Sequence, residues 1–193
     1  MSQTLSTMVE LGTVAPAFEL QDTVTGKAFS RDDVAALGCS GGLLVMFICV
    51  HCPYVKHVEA ELARIGADYA GKLGIAAISS NDIVEYPQDG PDEMKKQAER
   101  LGFRFPYLID STQEIARAYE AACTPDFFLF DKDLKLAYRG QLDASRPRRP
   151  SGSGNDIPLT GKDLRAAIDA VIAGKRPDPN QQTSLGCNIK WKA

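Results

Sequence analysis

The 193-residue chain contains no apolar run approaching the roughly 20 residues that a membrane-spanning helix needs. Its first ten residues, Met1 to Glu10, carry neither a basic n-region nor an apolar core, so no secretory leader is expected and the protein reads as cytoplasmic. Charge of one sign is scarce as well. Against 25 Asp+Glu stand 22 Lys+Arg, and the formal −3 is too weak a field to recruit nucleic acid or an anionic membrane. Only two histidines occur, His51 and His57. A zinc site built from Cys49, Cys52 and one of them would find no second CxxC or HxxxH to complete four ligands, so no metal is expected. The five cysteines are odd in number, which argues against a disulfide framework. No period of roughly 20 to 50 residues repeats, which excludes solenoids and propellers.

What is present fits one soluble α/β domain over 1–193, with a core at 11–175 and a C-terminal tail at 176–193. Apolar residues make up 44% and charged residues 24%, near the globular average. A chain of this length buries about 70% of its unfolded surface, so its cysteines are not needed merely to hold it folded.

After a polar N-terminal arm, Ala17-Phe18-Glu19-Leu20 alternates as a strand, and Ser30 to Asp33 carries a helix-cap pattern. Leu43 to Ile48 is apolar at every position, which predicts a central strand covered on both faces. From Pro53, apolar residues recur at steps of three and four through Tyr69, a helix ending near Gly71. Leu73 to Ser79 is the next strand and runs parallel, because strand-helix-strand crossovers in one sheet are right-handed and parallel. Tyr86 to Pro91 reads as loop, Asp92 to Leu101 as helix, and Phe105 to Asp110 as strand. Ser111 to Glu114 reads as a capping box for a helix to Ala122. Asp126 to Asp131 and Leu136 to Arg139 form a hairpin, so the sheet is mixed. Ala144 to Asp156 is a breaker-rich surface loop whose Arg146, Arg148 and Arg149 read as a solvated basic cluster. Thr160 is the expected N-cap of a last helix that ends at Gly174.

The densest chemical signal is Phe47-Ile48-Cys49-Val50-His51-Cys52-Pro53-Tyr54, where buried strand meets amphipathic helix. Pro53 suits the first helical position, which makes Cys52 the N-cap, its sulfur facing unpaired amides and the positive end of the helix dipole. Cysteines so placed drop from a pKa of about 8.5 to roughly 3.5–7.5, and Cys52 is therefore the candidate nucleophile. Cys49, three residues earlier, can form a reversible disulfide with it. A pair of small buried hydrophobes is the bland alternative.

This junction resembles the thioredoxin fold, and more closely its peroxiredoxin-like branch of alkyl-hydroperoxide-reductase and thiol-specific-antioxidant relatives. Gly12-Thr13-Val14-Ala15-Pro16-Ala17-Phe18-Glu19-Leu20 is similar to the opening segment of that branch, Cys52 falls on its peroxidatic cysteine, and Thr124-Pro125 on its cis-proline loop. The resemblance covers about residues 11 to 175. It implies a three-layer α/β fold, a mixed sheet flanked by helices, with an N-terminal extension and a C-terminal tail. It also implies a thiol-disulfide oxidoreductase or weak thiol peroxidase that needs no organic cofactor. Its partners would be a thioredoxin-like dithiol reductant and an oxidised thiol or hydroperoxide, with homodimerisation left open. Some members carry a CxxC whose second cysteine takes the peroxidatic place, as Cys49-Val50-His51-Cys52 would. The branch's Pro-x-x-x-Thr-x-x-Cys is not kept: Val45 and Cys49 stand where Pro and Thr would, which weakens the case for efficient peroxide reduction.

Around the pair, Cys123 precedes the Thr124-Pro125 loop and is either a further resolving thiol or a core residue. His51 is a candidate proton carrier beside Cys52 or points away. Lys56 and His57 read as surface residues, and Cys39 has no assigned role. Cys187 lies in an apolar tail that Trp191 would anchor, within conceivable reach of the site, although packing is its simpler role. The second functional class compatible with all of this is a non-catalytic thioredoxin-fold module that senses redox state or binds protein.

Overall fold

An apolar side chain at each of five successive positions, Leu43 to Phe47, leaves a strand no solvent face, and both faces are covered. Leu44 and Met46 enter one apolar cluster; Leu43, Val45 and Phe47 enter another on the opposite side of the sheet. The computed structural model describes residues 3–148, 152 and 154–192. Arg149 of the basic loop lies outside the described residues.

In chain order the strands are β1 (Gln3–Leu5), β2 (Glu19–Asp22), β3 (Ala28–Ser30), β4 (Leu43–Phe47), β5 (Gly74–Ser79), β6 (Tyr107–Ile109), β7 (Cys123–Thr124), β8 (Asp126–Phe130), β9 (Leu136–Arg139) and β10 (Leu185–Asn188). The helices are α1 (Arg31–Ala35), α2 (Pro53–Asp68), α3 (Pro91–Leu101), α4 (Glu114–Ala118) and α5 (Lys162–Ile172). Seven strands form one mixed sheet in the order β3-β2-β6-β5-β4-β8-β9, with β4, β5 and β6 parallel and the other pairs antiparallel. Helices α2, α3 and α5 pack on one face through residues such as Leu62, Met94 and Ile168. Val34 of α1 and Ala116 of α4 pack on the other. This is the expected three-layer, thioredoxin-like α/β arrangement, and no described helix is long and apolar enough to cross a membrane.

The sequence reading departs from the structure chiefly at helix starts and at the two ends of the chain. Ser111 to Glu114 forms no capping box. Instead Gln113 adopts a left-handed φ of 65° and its side chain donates to the carbonyls of Ser80 and Lys190, while the Asp110 carboxylate accepts the Ala116 amide. The short α4 stops at Ala118 and not near Ala122, and Glu120 also lies in the left-handed region. Gly161, not Thr160, caps α5. A Cβ at Gly161 would fall 2.8 Å from a Glu61 carboxylate oxygen, and the Asp143 carboxylate takes both the Thr160 and Gly161 amides.

The polar arm and the tail are ordered together. β10 lies between β1 and β7 in a second, three-stranded antiparallel sheet, with Cys187 opposite Thr124 and Gly186 opposite Thr4. Periodicity could not reveal this pairing, because each strand is short and its partner lies at the other end of the chain. The close approach requires Gly186, where an added Cβ would sit 2.1 Å from the Thr124 carbonyl oxygen. Trp191 is anchored under the Arg117 guanidinium, 4.5 Å from its ring centre. Gly186→Ala should therefore push β10 off the Thr124 strand and lower stability by about 1–3 kcal/mol, read as an earlier urea midpoint together with faster amide exchange at residues 185–188.

Candidate active site

Cys52 is the N-cap of α2, in extended geometry, and Pro53 opens the helix. The sequence reading has its sulfur facing the free amides. The Val55 amide points toward it without closing a full cap bond, and Sγ lies 3.2 Å from the Thr124 carbonyl oxygen, to which it donates only when protonated. Thr124 ends β7, and the Thr124–Pro125 peptide is cis. The Thr124 hydroxyl lies 3.3 Å from Cys49 Sγ, so one residue touches both sulfurs. The strand end of β4 brings Cys49 there, and the helix start brings Cys52. None of the five cysteines is disulfide-bonded, and all but Cys39 are buried.

The electrostatics of the pair are lopsided. Burial pushes the Cys52 thiol up, but hydrogen bonds from Cys187, Cys49, Thr124 and the Val55 amide to its charged form outweigh that and bring it down to about 2. Cys49 moves well above its ordinary value, chiefly because its proton is held in the hydrogen bond to Cys52, then through burial and the negative charges of Asp89 and Cys52. Cys52 is the acidic sulfur, and Cys49 keeps the proton. Burial, Asp126 and Cys52 likewise keep Cys123 protonated, with its thiol 3.6 Å from the Pro125 carbonyl.

Asp89 completes the site from a segment read as plain loop. It is fully buried, and Pro87–Asp89 forms a 3-10 turn that aims its carboxylate at the CxxC backbone. One carboxylate oxygen accepts the Val50 and His51 amides at 2.9 Å each; the other accepts Asn81 Nδ2 at 2.7 Å and the His51 ring nitrogen Nδ1. The His51 ring stacks on Tyr86. A ring nitrogen of His51, a carboxylate oxygen of Asp89 and Cys49 Sγ lie within 4.8 Å of one another, which sets the His51–Asp89 pair beside Cys49. These three could ligate a cation, but four hydrogen bonds already occupy the carboxylate, His51 Nδ1 is spent on it, and Cys49 is protonated. The donor set fits a hydrogen-bonded clamp better than a metal centre.

His57 is turned to Ser145 at 2.8 Å, outside the sulfur cluster. Arg146 is knitted into its own loop through the Asp143 and Ser145 carbonyls, and the exposed Arg148 pairs with Asp156. Asp89 and Asn81 are the site neighbours that sequence reasoning left without a role, whereas Cys187 reads there as within reach of the site with packing as its simpler role. The Pro87 and Gly90-Pro91 punctuation around Asp89 marked a tight turn, but nothing in its spacing tied it to residues 49–52.

Residues 11–139 match the model of the AhpC/TSA family. The chain is similar to the thiol-disulfide oxidoreductase ResA of Geobacillus thermodenitrificans, 29% identical over 135 residues that span 69% of this chain and 70% of ResA. It is similar along its whole length to an uncharacterized conserved protein of Geobacillus kaustophilus, at 49% identity and a TM-score of 0.92, covering 97% of that chain. The fold is shared with the thioredoxin domain of a thiol-disulfide oxidoreductase from Bacteroides vulgatus, at 19% identity, a TM-score of 0.54, and coverage of 68% of this chain and 88% of that one. With the sulfur pair at the strand-helix junction and the cis-proline loop against it, the chain belongs to the AhpC/TSA family.

Proposed function

We propose that the protein is a thiol-disulfide oxidoreductase in which Cys52 is the nucleophile and Cys49 the resolving thiol. The observation that carries this reading is the contact of both sulfurs with Thr124 and with each other, at a helix N-terminus where Cys52 alone is acidic. The Cys52 thiolate attacks one sulfur of a substrate disulfide, forming a mixed disulfide and releasing the other half as a thiolate. Cys49 then loses its proton, attacks Cys52 Sγ and expels the remaining half, leaving a Cys49–Cys52 disulfide. A thioredoxin-like dithiol returns both to thiols. No organic cofactor enters any step.

Cys49 must shed its proton when it attacks, and the His51–Asp89 pair lies close enough to receive it. Thr124 holds both sulfurs in register, and we assign Pro125 to the same loop as a positioning residue. Cys123, held protonated against a carbonyl, packs the loop and takes no part. A hydroperoxide could replace the disulfide as oxidant, but the threonine of the peroxidatic motif is Cys49 here, which favours the disulfide.

In an insulin- or glutathione-disulfide reduction assay with an external dithiol, Cys52→Ser should abolish turnover. Cys49→Ser should form no Cys49–Cys52 disulfide and should slow steady-state turnover by at least about tenfold; full turnover by either variant overturns the reading. The low pKa of Cys52 has a pH signature. Its proton is already absent at pH 5, so raising the pH adds no thiolate, and the rate of Cys52 alkylation by iodoacetamide should stay flat from about pH 5 to 8. An unactivated thiol would gain about tenfold per unit over that range. Asp89→Asn keeps an oxygen for the Val50 and His51 amides and removes the charge. It should slow resolution by about tenfold to a hundredfold, seen as accumulating mixed disulfide at an unchanged rate of first attack.

A further inference from the structure

Cys187 is buried, with 2% of its surface exposed, and belongs to the same apolar cluster as Cys49 and Cys52. Three independent features bring it there. β10 sets it opposite Thr124, whose carbonyl oxygen is 3.2 Å from Cys52 Sγ. The bare Cα of Gly186 lets that strand close on the cis-proline loop, where any side chain would strike the Thr124 carbonyl. The strand is held from its other edge by β1 and from below by Lys190, whose amide donates to Asn81 Oδ1 and whose carbonyl accepts from Gln113. The result is a thiol in hydrogen-bond contact with the Cys52 sulfur, approaching it from β10 whereas Cys49 approaches from the end of β4. Packing alone would be met as well by valine or alanine, neither of which could donate to that sulfur. Cys123 is also near, but its proton is engaged by the Pro125 carbonyl.

We propose that Cys187 is a second resolving thiol, so that Cys52 can form either of two internal disulfides, one with Cys49 and one with the C-terminal strand. The proposal rests on Cys52 being the nucleophile. In its first step Cys187 gives up its proton, its sulfur attacks Cys52 Sγ of the mixed disulfide, and the Cys52–substrate bond breaks; the substrate thiolate leaves and takes the proton. The substrate disulfide has been reduced to two thiols, and Cys52 and Cys187 have been oxidised to one disulfide. In a second step Cys49 attacks Cys52 Sγ, Cys187 departs as a thiolate and recovers the proton Cys49 gave up. That exchange needs no further oxidant or reductant. While the Cys52–Cys187 bond lasts, β10 is covalently tied to the start of α2.

The test uses the full chain with Cys49→Ser, oxidised glutathione as the probe, acid quenching and non-reducing peptide mass mapping. The expected product is a protein lighter by two hydrogens, in which the peptide containing Cys52 is linked to the one containing Cys187. The glutathionyl adduct on Cys52 should then accumulate at least tenfold more in Cys49→Ser/Cys187→Ser. Cys49→Ser/Cys187→Ala serves as the second variant, and circular dichroism confirms that each is folded. Equal adduct on Cys52 with and without Cys187 overturns the second resolving thiol and leaves the nucleophile in place. No adduct on Cys52 in any folded variant overturns both.

Discussion

One proton held between two buried sulfurs governs the proposed redox centre. In water Cys49 and Cys52 would titrate alike; here, three residues apart and shielded from solvent, they cannot both be charged, and the surroundings decide which gives way. The helix start, Cys187 and Thr124 favour charge on Cys52, whereas Asp89 disfavours it on Cys49. The other features of the site serve to keep that division steady. Thr124 spans both sulfurs, Asp89 clamps the amides between them, and the β1-β10-β7 sheet closes over them.

The scaffold places these groups by making most of its polar contacts obligatory. Asp89 has no exposed surface and accepts four hydrogen bonds, so the Val50–His51 backbone has a fixed partner it cannot exchange for water. Asp126, one residue after the cis-proline, accepts the amides of Ala122 and Phe127 and so pins both flanks of that loop; burial raises its carboxyl to about 7 despite those bonds. Gln113, held in a left-handed turn, ties the Ser80 loop to the C-terminal segment. Such networks leave little freedom where the sulfurs meet, which is what a reaction between groups delivered by β4, α2, β7 and β10 needs.

The layers of the fold were legible because their signals are periodic and local. The five-residue apolar run of β4, the three-and-four spacing of α2 and the Lys132-Asp133 turn of the β8–β9 hairpin each carry their meaning within a short window. The Cys52–Pro53 junction was legible for the same reason, since an N-cap followed by proline is a local pattern. What could not be read is long-range and polar. Asp89 reaches the CxxC backbone across some 40 residues of chain and Gln113 replaces a cap that its neighbours seemed to spell out. The β1–β10 pairing joins the two ends of the sequence. None of these has a periodicity, and each is specified by which buried hydrogen-bond donor would otherwise go without an acceptor.

The division of charge also gives the proposed reaction its order. Two of the causes that keep the Cys49 proton in place, the hydrogen bond to Cys52 and the charge on Cys52, exist only while Cys52 is a free thiolate. Once Cys52 has entered a mixed disulfide its sulfur is neutral, and both causes disappear. The Cys49 proton is then held only by burial and by Asp89, which has His51 beside it as a relay. The resolving thiol is thus released by the event that makes resolution necessary. A sulfur of intrinsically high pKa is moreover the stronger nucleophile once deprotonated, so the asymmetry that silences Cys49 in the resting protein speeds it after substrate capture. The same neutralisation removes the acceptor of the Cys187 thiol. Both neighbouring sulfurs are therefore freed together, and what separates them is that Cys49 has a base at hand.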